Sequence, residues 1–387
     1  MYKAGKVIIV ISGLLSMVVA FHLTLMIYDN AYFYTTLSQT IFKGRLGPAI
    51  NDLSNYKANV IEGVSAAVFC PISAPKELSG ADLNIHSEYK STAFLVIKNK
   101  RVVYESYWLD TDKNTVSNSF SMSKTMVSSL VGVALQHGFI NSINQTVGEF
   151  LPNYCNDNFE TITIKQLLQM SSGVNFNESY LDPFAFPAKA YYGKNLERLL
   201  CDYQLTSEPG VYYEYQGGAT QLLAFVLEKA SGLTLSALLQ QYIWKPIKAS
   251  DAFWVLDFEG GSEKASCCVY ATARDFAKFG QLYLDGGRID STQIIPTWYL
   301  KESVTATGLI DKEDNAVVDF YGYQWWLTKH RELDVYFARG ILGQYIFCVP
   351  EKDLVIVRLG HTRSKEKTNK HPNDVYDWLD MGLRLAE

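Results

Sequence analysis

Apolar residues recur at spacings of three and four through Met122, Met126, Val127, Leu130, Val133 and Ala134, which predicts a helix with one deeply buried face. The stretch Ser117 to Ile140 that contains them opens with a short polar entry, so the helix starts near Ser121. Upstream, two β-rich runs between Thr92 and Trp108 flank Lys98-Asn99-Lys100, a hairpin signal. Ile162 to Met170 reads as a short helix stopped by Ser171-Ser172-Gly173, and Leu222 to Ala230 and Leu235 to Ile243 add further helical patterns. Strand-like runs return at Tyr321 to Leu327, Val335 to Arg339, Gln344 to Val349 and Leu354 to Leu359, the last two joined at Pro350-Glu351-Lys352-Asp353. Val375 to Ala386 has the period of a closing helix. Strands at both ends with helices between them predict an α+β fold: one antiparallel sheet built from both chain ends and flanked by helices, plus an all-α subdomain at about residues 120–245.

Val7 to Tyr28 is an apolar run of membrane-spanning length, preceded by Lys3 and Lys6. The expectation is an N-terminal anchor over residues 1–28, a connector over 29–62 and a globular domain over 63–387. The lysines place the N-terminus in the cytoplasm and the rest of the chain on the outer side. A cleaved leader is the rival reading, but the apolar part is too long for one and no small-x-small site precedes Asp29.

The 387 residues, 48% hydrophobic and 13% aromatic, support sizeable cores, which excludes a disordered chain. A net charge of -5 without a long lysine and arginine run argues against a nucleic-acid partner. Cys70, Cys155, Cys201, Cys267, Cys268 and Cys348 show no metal-ligand spacing, and buried free thiols are the expectation for them. His137 and His361 lack ligand partners at usable spacing and are expected to cap or to face solvent.

The chemistry centres on Ser121 and Lys124, three apart and therefore on one helix face. A serine needs a base to become a nucleophile, and a lysine with its ordinary pKa of about 10.4 is protonated near neutrality, so burial must favour the free amine. Ser54 with Lys57, Ser73 with Lys76, Ser87 with Lys90 and Ser364 with Lys367 share the spacing. Only Ser121 and Lys124 open a long apolar helix shortly after predicted strands. A surface serine and lysine on an ordinary helix is the alternative that spacing alone leaves open.

The blocks SMSK, ITIKQLLQMSSG, EPGVYYEYQGGATQLLAFVLEKASG, YATARDFAKFGQLYLDGG and ARGILGQYIFCVPEKDLVIVRLG together resemble the serine β-lactamase-related superfamily, in its esterase and 6-aminohexanoate-dimer hydrolase-like branch. The resemblance covers nearly everything after the anchor. It implies a β-lactamase/transpeptidase-like fold, with the active site between the sheet and the all-α region. Ser121 then matches the nucleophile, Lys124 its base, and Tyr215 the tyrosine of a Tyr-x-Asn motif that shares in proton transfer. The backbone N–H groups of Ser121 and Gln344, the latter after Gly343, would hold an oxyanion.

Two departures qualify the resemblance. Gly217 replaces the asparagine of Tyr-x-Asn, and Ile341-Leu342-Gly343 stands where the family has Lys-Thr-Gly. Together they argue for an open-chain ester or amide, small or peptide-like, over a β-lactam. A penicillin-binding sensor with slow or no turnover is the alternative. Tyr180 and Asp182 are candidates to contact substrate, Asp182 through a cationic group; an aspartate before proline equally makes a turn. No metal or cofactor is implied.

Overall fold

The computed structural model describes residues 2–27, 30–71, 76–155 and 157–387. Tyr28 and Asp29, at the expected junction of anchor and connector, and Ser73 of one Ser-x-x-Lys match lie outside the described residues.

The expected sheet is present. Its strands are β1 (Ser91–Lys98), β2 (Arg101–Tyr107), β3 (Trp326–His330), β4 (Leu333–Gly340), β5 (Gln344–Val349) and β6 (Leu354–Gly360). The order is β3-β4-β5-β6-β1-β2, antiparallel throughout, with Cys70–Pro71 added in parallel at the β2 edge. Asn99 and Lys100 are both left-handed, with φ of 49° and 57°. That conformation gives a two-residue loop the twist a tight hairpin needs. The strand expected from Tyr321 begins only at Trp326, because Gly322 N–H bonds the Trp325 carbonyl and left-handed Gln324 turns the chain.

Helices named here are α1 (Tyr2–Ile27), α2 (Tyr32–Gln39), α3 (Met122–Gln136), α4 (Gly217–Ser231), α5 (Ala273–Leu284) and α6 (Asp374–Ala386). α5 and α6 cover opposite faces of the sheet. A Cβ on Gly280 of α5 would meet Val355, and one on Gly382 of α6 would meet Ile356. Successive strand residues point to opposite faces, and glycine lets both helices approach closely. α3 is buried from Met122 to Ala134 and packs against α4, so the nucleophile candidate starts at the joint between the sheet layer and the helical region.

The stretch expected as a connector lies against the body. α2 packs beside Phe186–Tyr192, and Ala58–Ile61 pairs with Ala252–Val255.

The expectation of buried free thiols is corrected for five of the six cysteines. Cys155 and Cys201 form a disulfide with Cα atoms 4.9 Å apart, brought together by the packing of the helical subdomain. Cys267 and Cys268 are also bonded, the left-handed backbone of Cys268 (φ 78°) bringing two sulfurs to one side of the chain. Cys70 and Cys348 are free, the first exposed and the second buried.

Candidate active site

Ser121 is delivered by a tightly held turn. Ser117–Asn118 pairs with Tyr270–Ala271, and Asn118 Oδ1 accepts the Phe120 N–H at 2.8 Å. Phe120 is left-handed (φ 43°), a conformation a bulky residue keeps only where its surroundings fix it. Gly340 abuts this turn: a Cβ there would lie 2.4 Å from the Ser119 carbonyl oxygen. Ser121 then begins α3 without using its hydroxyl as a cap, which leaves Oγ for the cleft.

Lys124 Nζ donates to Ser121 Oγ at 3.1 Å and to the Ser266 carbonyl at 2.7 Å. The residue is 2% exposed. Its Nζ also stands 5.1 Å from the centre of the Tyr215 ring. The segment carrying Tyr215 is pinned on both sides: Glu214 N–H bonds the Met170 carbonyl at 2.8 Å, and the Gln216 amide donates to the Val174 carbonyl at 2.8 Å. Tyr215, some ninety residues further along the chain, thus joins Ser121 and Lys124 at one end of α3.

Glu178 is a site residue that sequence reading missed. Its Oε2 accepts the Gly217 N–H at 2.8 Å, and its Oε1 accepts the Tyr180 hydroxyl at 3.2 Å. It lines the recess beside Ser121 and Lys124. Burial pushes its carboxyl above the usual range, with Lys124 pulling the other way. A Cβ on residue 217 would sit 3.2 Å from Oε1, so glycine in place of the motif's asparagine makes room for this carboxylate. No local pattern in the sequence announces that exchange.

Other expected positions differ. Gln344 is fully buried and does not line the cleft; its side-chain amide donates to the Gly360 and Ile341 carbonyls, locking it into the β4–β5 turn. Gly343 likewise packs on Arg358, where a Cβ would lie 2.1 Å from the guanidinium. Gly340 and Ile341 are the residues of this turn that face Ser121. Tyr180 lines the cleft, whereas Asp182 does not, its Oδ1 accepting the Phe184 N–H in a local turn. His361 is half-buried away from the cleft, and His137 caps α3 against Tyr242.

The cleft holds about 490 Å3 and carries both signs of charge. Lys312 pairs with Glu214 at 2.5 Å, and Lys370 with Asp311 and Asp314 at 2.8 and 2.7 Å. Arg339 and Arg363 also line it, and neither pairs with a carboxylate among the described residues. The Arg339 guanidinium carbon stacks 3.3 Å from the Trp326 ring centre. Burial, and then the nearby Arg363, push Arg339 down to about 10.

Comparison with known proteins agrees with this architecture. The chain is 28% identical over 315 residues to the 6-aminohexanoate-dimer hydrolase of Paenarthrobacter ureafaciens, covering 76% of this chain and 78% of that one. A solved Bacillus anthracis structure, provisionally described as a 6-aminohexanoate-dimer hydrolase, superposes with a TM-score of 0.72 at 23% identity, covering 91% of this chain and 94% of that one. A family VIII carboxylesterase superposes with a TM-score of 0.60 at 17% identity, covering 79% and 95%. At such identities the solved structures speak for the fold alone. The Beta-lactamase family model matches residues 82–376, most of the described body, and the chain belongs to that family.

Proposed function

We propose that this chain is a membrane-anchored serine hydrolase that cleaves an ester or amide through an acyl-Ser121 intermediate. The observation that carries the reading is the 3.1 Å contact between Lys124 Nζ and Ser121 Oγ at the start of a buried helix. A lysine serves as base only as the free amine, and the Lys124 Nζ stands within hydrogen-bond reach of the Ser121 hydroxyl whose proton it would take. In the first step Lys124, with Tyr215, takes the Ser121 proton as Oγ attacks the carbonyl carbon. The N–H groups of Ser121 and Ile341 receive the oxyanion; among the described residues the Ser121 N–H has no acceptor. Tyr215 or Lys124 returns the proton to the leaving group, and water releases the acid. Glu178 tunes the charge beside Lys124. Nucleophile and base are both side chains, so the scheme uses no cofactor.

Arg339 and Arg363 favour a substrate carrying an anionic group near the scissile bond, since unpaired guanidinium groups bind carboxylates strongly. The same pair supports a second reading, a sensor that captures penicillin carboxylates and turns over slowly. Residues 1–28 would serve as anchor, 29–62 as connector and 63–387 as the catalytic domain, outside the cytoplasm. Turnover of p-nitrophenyl esters alongside labelling by a fluorescent penicillin tests the proposal. Rapid ester turnover without a lasting penicillin adduct is expected; a long-lived adduct with negligible ester turnover would favour the sensor.

A further inference from the structure

The loop between Asn177 and Phe186 joins the cleft to the N-terminal helix. Its base is closed by Phe186 N–H to the Asn177 carbonyl at 3.0 Å. On one flank Glu178 and Tyr180 line the site. On the other, Tyr32 Oη donates to the Pro183 carbonyl at 2.8 Å and Phe184 stacks on Phe33 at 5.6 Å between ring centres. Phe33 in turn packs edge-on against Phe21 at 5.8 Å, and the Tyr34 hydroxyl bonds His22 at 2.9 Å.

These contacts fix a depth. The apolar window Val10–Ile27 has 18 residues, which at 1.5 Å per residue is about 27 Å, close to the roughly 30 Å of a bilayer core. Phe21 precedes the helix end at Ile27 by six residues, or about 9 Å along the axis. A helix that spans the bilayer over this window therefore carries Phe33 below the membrane surface and Phe184 to within one ring contact of it. The neighbouring side chains suit that level. Leu181, at the tip of the loop, is 97% exposed, and Phe184 is 41% exposed. Lys189, Lys194 and Arg198 outnumber Asp202 in a groove with Asn30 and Thr35 beside this apolar edge, a charge balance suited to lipid phosphates.

We propose that loop 177–185 is a bilayer-inserted lip of the Ser121 cleft, and that the substrate is an amphiphile held in the membrane with its scissile bond at headgroup level. The inference rests on α1 as an anchor and on Ser121 as the nucleophile. The apolar span continues into the lip through Phe21, Phe33 and Phe184, which is why the occupant of this surface is the bilayer.

The test uses the full chain in phosphatidylcholine vesicles. A nitrobenzoxadiazole label is placed on Leu181→Cys in a Cys70→Ser background, with brominated acyl chains as quencher. Leu181→Asp is assayed in parallel on a water-soluble acetate ester and on a long-chain p-nitrophenyl ester dissolved in the vesicles. The expected result is a quenched label, and a vesicle-held ester hydrolysed about tenfold more slowly by Leu181→Asp with unchanged soluble-ester turnover, since 1.4 kcal/mol of lost insertion is a factor of ten. An unquenched label on a chain that resists carbonate extraction would overturn the inference and leave the anchor standing. Release of the chain by carbonate would remove the anchor and the inference together. A quenched label with wild-type rates for both esters in Leu181→Asp would overturn the substrate class.

Discussion

The Gly217 N–H donates to Glu178 Oε2 at 2.8 Å, in a space where any side chain on residue 217 would crowd the carboxylate. Glycine at the motif's asparagine position thus leaves the space that the Glu178 carboxylate occupies beside Lys124. Burial pushes this carboxyl above the usual range, with Lys124 pulling it back, so its own titration is displaced toward the pH at which the site works. Glu178→Gln is expected to move the acid limb of the kcat/KM pH profile, where that carboxyl titrates, while leaving the fold intact. A limb that stays in place, measured on a neutral ester, would remove Glu178 from the electrostatics of the site.

Lys124→Ala is expected to slow acylation by about a hundredfold or more, the usual worth of a positioned base. Pre-steady-state release of p-nitrophenol measures that step directly, and thermal denaturation checks that the variant is folded.

Arg363→Ala separates charge recognition from chemistry. For an ester with a carboxylate near the scissile bond, KM is expected to rise about tenfold or more, because a hydrogen bond to a charged group is worth roughly 1.5–3 kcal/mol. For a neutral ester of the same size, kcat and KM are expected to stay as they were.

Lys264 yields a stability prediction. It is 2% exposed, with its ammonium 4.7 Å from the centre of the Tyr56 ring. Burial pushes it down to about 7, partly opposed by Asp257. The unfolded chain then binds more protons than the folded one between about pH 7 and the ordinary lysine value near 10.4, so this group's contribution to stability rises with pH across that window. The cost is fully present below about 7. Lys264→Met is expected to raise the melting temperature relative to wild type at pH 6, with the difference shrinking toward pH 9.

Beyond the sheet drawn from both chain ends, what the sequence pattern made legible was local. The β1–β2 hairpin follows from alternating β-rich residues around Asn99-Lys100, and α3 from its apolar period. Ser121 and Lys124 could be paired because a helix turn brings them together. The residues that were missed are joined by tertiary folding. Glu178 reaches Gly217 across 39 positions, and Arg339 at the end of β4 and Arg363 just after β6 come to the cleft only because β5 brings those two strand ends side by side. Gln344, expected to offer its N–H to an oxyanion, is buried, and left-handed Leu342 (φ 62°) and Gly343 (φ 83°) turn the chain so that Ile341 lines the cleft with Ser121. Neither disulfide could be read, since pairing depends on where the subdomain brings Cys155 and Cys201, and on one backbone angle at Cys268.

The central claim is that Ser121 is the acylating nucleophile, and peptide mapping by mass spectrometry after reaction with a fluorophosphonate tests it most directly. A single adduct on Ser121, abolished in Ser121→Ala and strongly slowed in Lys124→Ala, is the predicted result. A folded chain that carries no adduct on Ser121, or carries it on another serine, would contradict the account.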